Sequence, residues 1–190
     1  MKYKLSPDQE GLSPHRVRIV PYDPAWKTKA EAIIQQLHHT LLENSYAIEH
    51  IGSTSIPGLS AKPVIDLLPI VWDMEKLDVQ KDRIIELGYG WHGEFGIAGR
   101  RFCTLSNPAG ERLVHLHFFQ KDAGPITRHL AFRDYLLAHP SIAKEYEKEK
   151  IRAASLHPAD SMAYNDEKSA WVQAQEKDAL TWYLSRRIAR

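Results

Sequence analysis

The stretch His50–Leu59 reads His-Ile-Gly-Ser-Thr-Ser-Ile-Pro-Gly-Leu, and Lys62–Asp66 reads Lys-Pro-Val-Ile-Asp. A short strand, Ala47–Ile51, is predicted to run into this loop, which is rich in Gly, Ser, Thr and Pro. Val64–Val71 is almost entirely apolar, so a strand buried on both faces is expected. Two strands joined by a polar loop therefore form the centre of the expected fold.

The loop and the second strand both carry residues suited to chemistry. Gly52 lets the backbone approach a ligand closely, and the hydroxyls and N–H groups of Ser53, Thr54 and Ser55 can hold a phosphate if a helical turn follows. Asp66 lies inside the apolar run, where a carboxylate is costly unless it binds a metal or finds hydrogen-bond donors. Asp66 is therefore the leading functional candidate. The alternative is a structural aspartate that accepts hydrogen bonds from backbone N–H groups of a neighbouring loop.

The rest of the chain divides into a mixed half and a helical half. An α+β fold is expected, with a mixed sheet of about five strands and the helical half packed against it. The further predicted strands are Val17–Val20, Arg101–Leu105 and Arg112–Phe119. The predicted helices are 23–44, Asp73–Leu87 with Gly88 as its C-cap, Ile126–His139, Pro140–Ser155 and Asn165–Arg187. By this division, residues 1–15 are a flexible leader, 16–124 the α/β core, and 125–190 a helical extension of the same globule.

Composition narrows the function classes. The 190 residues carry a net charge of +1 and one cysteine, so neither a strong field for nucleic acid nor an intrachain disulfide is expected. The longest apolar run is too short to cross a bilayer. These features predict a cytoplasmic protein without nucleic-acid or membrane partners, and its oligomeric state stays open. The charge alternation in Lys144–Arg152 predicts a solvated helix face.

His115 and His117 flank Leu116 on a predicted strand, so their side chains share one face of the sheet. If that strand neighbours the one bearing Asp66, the three residues form a metal site. Two imidazoles and a carboxylate suit Zn, Mn, Fe or Ni better than Mg, and the expected cofactor is a divalent metal (Mg, Mn or Zn). The alternative is a polar sheet face with two hydrogen-bonded histidines.

Arginine and lysine side chains match phosphate groups, and five are predicted to bind an anionic substrate: Lys62, Arg100, Arg101, Arg128 and Arg133. The alternative for Arg133 is a salt bridge, since Asp134 is adjacent and Glu145 or Glu149 could face it across a helix pair. Glu94 lies in a Gly-rich loop that could fold over the site, and it is a candidate third carboxylate. The catalytic candidates are thus Asp66, His117 and Glu94.

The full set of motifs closely resembles the GrpB family, a branch of the nucleotidyltransferase superfold. The resemblance covers about residues 17–185. Besides the stretch already quoted, the matching motifs are Tyr22-Asp23-Pro24 with Trp26, Gly99-Arg100-Arg101-Phe102, His115-Leu116-His117, Arg128-His129-Leu130, Phe132-Arg133-Asp134-Tyr135-Leu136, His139-Pro140, and Tyr146 with Lys150.

The resemblance implies that the Gly-Ser turn holds nucleotide phosphates and that carboxylates at positions i and i+2 of one strand, with a third nearby, bind two divalent ions. Ser53 and Asp66 match this pattern, but the i+2 position is Leu68. Two hypotheses follow. One is a metal-dependent nucleotidyl or phosphoryl transferase acting on a small molecule. The other is a catalytically degenerate protein that binds a nucleotide, or a coenzyme-A-related ligand, without turnover; GrpB-like segments occur fused to dephospho-coenzyme A kinase. A protein-interaction scaffold built on the helical half is a third reading.

Overall fold

A computed structural model describes residues 16–188. Its elements, in chain order, are α1 Ala25–Leu41, β1 Ser45–Ile51, β2 Ile65–Val71, α2 Met74–Val79, α3 Lys81–Glu86, β3 Gly90–Trp91, β4 Arg101–Ser106, β5 Arg112–Gln120, α4 Gly124–Ala138, α5 Pro140–Leu156 and α6 Ser161–Ile188. Short 3₁₀ turns, Leu42–Asn44 and Ser53–Ser55, flank β1. The predicted α+β class, with a mixed five-stranded sheet and a helical second half, is confirmed.

The five strands form one sheet in the order β1-β2-β5-β4-β3. Only the β2–β5 pair is parallel, while β1–β2, β4–β5 and β3–β4 are antiparallel. β2 thus occupies an inner position, and all but one of its residues are buried, as expected for a strand covered on both faces. The exception is Asp66, which is partly exposed.

Each face of the sheet is covered by a different set of helices. On one face, α1 contributes Trp26, Leu37 and Leu41 to the main core cluster, which includes Leu67 of β2. On the opposite face, Leu68 packs with residues of β1, β5 and α4. A further cluster joins the loop after β1 to α4, α5 and α6, because Ile56 and Leu59 pack with Leu136 and Tyr146. The helical half therefore covers the face that carries Asp66.

Most predicted boundaries fall within a few residues of the observed ones, but two expectations need correction and one strand was missed. The strand predicted at Val17–Val20 is reduced to one isolated bridge, between Val20 and Ala61. The helix predicted over Asp73–Leu87 breaks at Gln80, whose φ of −84° and ψ of 2° leave the helical region. The two-residue strand β3 was not anticipated. The leader predicted at 1–15 lies outside the described residues.

Asp73 shows why α2 starts where it does. Its side chain accepts hydrogen bonds from the N–H groups of Glu75, at 2.8 Å, and Lys76, at 3.1 Å, and so satisfies donors that have no partner within a helix. Among residues 16–188, no helix combines the length and the apolar character needed to cross a membrane.

Candidate functional site

The parallel pairing of β2 and β5 brings three predicted site residues together. Asp66 is in register with His115, and His117 lies two residues further along β5 on the same face. Asp66 Oδ1 lies 2.9 Å from His115 Nδ1 and 3.6 Å from His117 Nε2. One ligand atom from each residue lies within 4.8 Å of the other two. We call these residues the Asp-His-His cluster. Among the described residues, no backbone N–H group donates to Asp66, so the alternative of a structural aspartate bound by loop amides is not observed.

Gly52 allows the turn after β1 to press against the Asp66 carboxyl group. Its φ is +71°, a left-handed conformation that favours glycine. A Cβ atom at this position would lie 2.6 Å from Asp66 Oδ2, well inside contact distance. Two features therefore require glycine at this position: the left-handed backbone conformation and the close contact with the Asp66 carboxyl group.

The three hydroxyls that follow Gly52 have different environments. The Thr54 hydroxyl is buried, donates to the Val64 carbonyl at 3.2 Å and lies 3.0 Å from His50 Nε2. The Ser55 hydroxyl donates to the Gly52 carbonyl at 2.6 Å. Only the Ser53 hydroxyl is without a hydrogen-bond partner among the described residues while also lining the cavity above the cluster. Ser53 is therefore the hydroxyl of this turn best placed for a ligand.

Burial and hydrogen bonding shift the pKa values of several groups in and beside the cluster. Burial alone would raise the pKa of Asp66, but hydrogen bonds from His115 and His117 outweigh it and lower the pKa below its ordinary value. Burial lowers the pKa of His117. Burial, with the nearby His117 and Arg128, lowers the pKa of His129 to about 3. His129, whose ring centroid lies 5.6 Å from that of His117, is thus neutral at neutral pH.

The cluster opens into a cavity of about 570 Å³ between the sheet and the helical half. We call it the cluster cavity. Its lining includes five cationic side chains but only two carboxylates, Asp66 and Glu176. The cationic residues are Lys62, Arg100, Arg128, Lys150 and Lys168. Basic side chains therefore outnumber acidic ones around this cavity.

Three of the predicted substrate-binding cations line this cavity. Lys62 Nζ donates to Ser161 Oγ at 2.8 Å. Arg100 is buried, and it donates to the carbonyls of Glu94 at 3.2 Å and Phe95 at 2.7 Å. Arg128 forms an ion pair with Glu176. These contacts hold the cations at the wall of the cavity.

The structure places the other predicted residues elsewhere. Arg101 forms two hydrogen bonds with Asp78, at 2.7 and 2.6 Å, because its side chain points to the sheet face opposite Asp66. Arg133 pairs with Asp134 at 2.8 Å and Glu49 at 2.7 Å, which is a salt bridge, though with partners other than Glu145 or Glu149. Glu94 accepts a hydrogen bond from the Gly99 N–H at 2.6 Å and closes its own loop. None of the three lines the cluster cavity, and Glu94 therefore supplies no third carboxylate in this arrangement.

Sequence reasoning assigned no site role to several cavity residues of α5 and α6, among them Lys150, Tyr164, Lys168 and Glu176. The expectation that Lys144–Arg152 forms a solvated face is wrong for Lys150, whose exposed fraction is 1%. A signal existed, because Ala143, Tyr146, Lys150 and Ala153 are the buried residues of α5 and recur at three- and four-residue steps. Lys150 Nζ donates to the Ser60 carbonyl and lies 4.7 Å from the centre of the Tyr146 ring.

Comparison with known proteins identifies the family. The model of the GrpB protein family matches residues 16–178. The chain belongs to the GrpB family. UPF0157 protein YqkA of Bacillus subtilis is 37% identical over 174 residues, which make up 92% of this chain but 50% of that protein. This GrpB-family chain therefore spans about half the length of YqkA.

One solved structure of a relative matches this chain over nearly its whole length. The GrpB protein of Enterococcus faecalis is 41% identical, with a TM-score of 0.83 over 88% of this chain and 99% of that one. A dephospho-CoA kinase of Mycolicibacterium paratuberculosis is 25% identical over 206 residues, covering 95% of this chain and 49% of that protein. A mutant Cid1 poly(U) polymerase bound to MgATP is a much looser match, at 12% identity and a TM-score of 0.45 over 70% of this chain and 45% of that one.

Proposed function

We propose that this GrpB-family chain is a metal-dependent phosphoryl or nucleotidyl transferase for a small molecule, and that it binds one divalent metal ion at Asp66, His115 and His117. The observation that carries the proposal is the convergence of one carboxylate oxygen and two imidazole nitrogens within 4.8 Å at the wall of a cationic cavity. The binding of a phosphorylated substrate, the metal and the transfer reaction are all parts of the proposal.

The donor set fits a single transition-metal ion. For a metal about 2.0–2.1 Å from each ligand in tetrahedral geometry, the ligand atoms lie roughly 3.3 Å apart. The separations of 2.9 and 3.6 Å from Asp66 Oδ1 bracket this value. Two nitrogens and one oxygen favour Zn or Mn over Mg, which prefers oxygen. Three protein ligands also leave a coordination position open, as catalytic sites require. When bound, the metal would polarise a phosphoryl oxygen as a Lewis acid.

The remaining groups of the cavity are suited to a phosphate chain. Lys62 lies on the segment before β2, Lys150 on α5 and Lys168 on α6. Cationic side chains therefore line the cavity from both halves of the molecule. The Ser53 hydroxyl can donate to a phosphate oxygen beside the cluster. The rings of Phe95, Phe102 and Phe132 line the same cavity and would exclude water from the reacting groups, which strengthens electrostatic interactions there.

Binding without transfer is the second candidate, and a specific observation favours it. Leu68 is fully buried on the face that bears Asp66, so a second ion has no carboxylate at the position where two-metal enzymes place one. Glu176, the other acid of the cavity, is held in its ion pair with Arg128. A chain of this kind would hold a nucleotide or another phosphorylated metabolite on one metal. Because part of a dephospho-CoA kinase is similar to this chain, dephospho-CoA is a reasonable ligand to include in a screen.

The full chain should be assayed with Mn²⁺ or Zn²⁺ against nucleoside triphosphates, dephospho-CoA and a panel of small hydroxyl acceptors, with release of pyrophosphate or phosphate as the readout. We expect turnover that requires the metal and is reduced at least about 100-fold by Asp66→Asn, since removal of the one charged ligand weakens the site. Asp122→Asn is the matched control, because Asp122 is exposed and lies outside the cavity.

The outcomes separate the candidates. Turnover that survives Asp66→Asn would contradict the metal role of Asp66. Metal-dependent ligand binding without turnover, read as a rise in melting temperature, would favour the binding protein over the enzyme. No binding of any nucleotide or phosphorylated metabolite would contradict both.

A further inference from the structure

A second cavity of about 630 Å³ lies beside α1, at the start of β2 and β5. We call it the α1 cavity. Its volume falls within the roughly 300–1,000 Å³ typical of small-molecule sites. It shares Lys62 and Val64 with the cluster cavity, but none of the Asp-His-His cluster lines it. Neither the metal nor the phosphate subsite of the proposed function involves its other residues.

The charge around the α1 cavity is strongly positive. Five cationic residues line it, namely Arg16, Arg18, Lys29, Lys62 and Arg112. The one acidic residue of the lining, Glu111, already accepts a hydrogen bond from the Asn107 side chain at 2.8 Å. Like charges concentrated around one concave surface repel one another, and an anion within the cavity would relieve that repulsion.

These cations lack the acidic partners that four other arginines have. Arg101, Arg128, Arg133 and Arg152 each form an ion pair with Asp or Glu. Within residues 16–188, none of the five cations of the α1 cavity pairs with a carboxylate. The positive charge of this cavity is therefore not offset by ion pairs among the described residues.

Arg112 is a cation of this lining that is held by neutral partners. It is partly buried, and its Nη1 donates to Thr104 Oγ1 at 2.6 Å and Ser106 Oγ at 3.0 Å. Both partners are neutral hydroxyls, so they fix the guanidinium without offsetting its charge. Burial lowers the pKa of Arg112, which reflects the cost of holding this charge away from water.

The floor of the α1 cavity is apolar. Trp26, Ile65 and Val114 are buried members of the main core that also line the cavity, and Ile33 and Leu105 contribute partly buried surface. Inorganic phosphate or a bare carboxylate would gain nothing from this floor. A molecule with an apolar body would bury surface against it at about 25 cal/mol per Å².

We propose that the α1 cavity is a second ligand site, which binds a small organic anion that carries one carboxylate or phosphate head group on an apolar body. The head group contacts the cations at the rim, and the apolar body covers the partly buried side chains of Ile33 and Leu105. This site goes beyond the proposed transferase function, and its occupation does not require a metal.

The test uses the fluorescent probe 1-anilinonaphthalene-8-sulfonate, which joins an anionic group to an apolar ring system, titrated into the metal-free full chain. We expect saturable binding at one probe per chain, weaker at high salt because exposed charges are screened. Decanoate and decyl phosphate should displace the probe, whereas acetate and inorganic phosphate at the same concentration should not. Displacement by decanoate alone or by decyl phosphate alone identifies which head group the site prefers.

Variants then locate the site. Arg18→Glu combined with Lys29→Glu reverses two exposed rim charges and should weaken probe binding roughly tenfold or more. The control, Arg83→Glu with Lys148→Glu, makes the same change in net charge at exposed positions outside the cavity. Ala32→Trp should also weaken binding, because Ala32 lines the cavity and a larger side chain would fill it.

Three outcomes would overturn the proposal. They are equal displacement by inorganic phosphate, equal weakening by the control pair, and loss of probe binding in Asp66→Asn but not in Arg18→Glu/Lys29→Glu. The last outcome would place the probe in the cluster cavity. Failure of the transferase assay leaves this test unaffected, since the probe is titrated without metal or nucleotide.

Discussion

At the scale of single residues, Gly52 is the position where backbone conformation and the candidate site are most tightly coupled. Gly52→Ala should destabilise the fold by more than the roughly 1–2 kcal/mol of left-handed strain alone, because the added methyl group also meets Asp66 Oδ2 at 2.6 Å. The free energy of unfolding in urea measures this.

Gly58→Ala is the matched control for that substitution. Gly58 has a φ of +79°, and a Cβ there would meet nothing within 4 Å, so it isolates the backbone strain. We expect Gly52→Ala to cost at least about 2 kcal/mol more than Gly58→Ala, since overpacking in buried surroundings typically costs 1–3 kcal/mol. Equal costs would mean that the Asp66 carboxyl group moves away freely.

Lys150 should make a measurable contribution to the pH dependence of the unfolding free energy. Burial, together with Lys168, lowers its pKa to about 7 from an ordinary 10.5. Between pH 7 and 10.5 the unfolded chain therefore binds more protons at this residue than the folded one. Stability attributable to Lys150 thus rises with pH across that window, by at most about 1.4 kcal/mol per unit.

The measurement is the unfolding free energy of the wild type minus that of Lys150→Met, from pH 6 to pH 9. This difference should be nearly flat below pH 7 and rise above it. Lys148→Met, an exposed change on the same helix, should show no such rise. A flat difference up to pH 9 would contradict the lowered pKa of Lys150.

At the scale of elements, Arg133 ties α4 to β1. Its guanidinium contacts Glu49 at 2.7 Å and the His50 carbonyl at 3.2 Å, and its side chain is 18% exposed. Arg133→Met should cost about 2–4 kcal/mol, because it leaves Glu49 and the carbonyl without their donor in a partly desolvated place.

Arg152→Met is the control for Arg133→Met. Arg152 also bridges two carboxylates, of Glu149 and Glu167, but its side chain is 48% exposed. Its loss should cost no more than about 1 kcal/mol, as for other surface pairs. A cost for Arg133→Met within the range of Arg152→Met, in chemical denaturation, would mean that the α4–β1 contact does not depend on this ion pair.

The elements also show what a sequence can and cannot predict. Three patterns are local in sequence: the apolar run of β2, the Asp at position 66, and the His-Leu-His alternation of β5. The alternation was sufficient to predict that His115 and His117 share one face of the sheet. The pairing of β2 with β5 is not local, so the cluster could only be expected on the condition that those strands are neighbours. The pairs Arg101–Asp78 and Arg133–Glu49 were out of reach, because those partners lie far away in sequence, whereas a salt bridge of Arg133 with the adjacent Asp134 could be considered.

At the scale of the whole molecule, the cluster cavity exists because the helical half closes over the Asp66 face of the sheet. β2 and β5 carry the metal candidates, while α5 and α6 supply Lys150, Lys168 and Glu176. Periodicity placed Lys150 on a helix but did not place it against the loop that carries Ser60, because the partner surface of a helix is set by tertiary packing. The packing of the two halves against each other brings these separate motifs into one candidate site.

The central claim is that Asp66, His115 and His117 together hold one divalent metal ion. The most direct test is the zinc or manganese retained per chain after metal loading and exhaustive dialysis, measured by elemental analysis. We predict about one equivalent in the wild type and in Asp122→Asn, and much less than one equivalent in Asp66→Asn and in His117→Ala, because loss of even an outer-shell partner typically costs about 10–100-fold in metal affinity. Retention of the metal in Asp66→Asn, or no retention in the wild type, would contradict the claim.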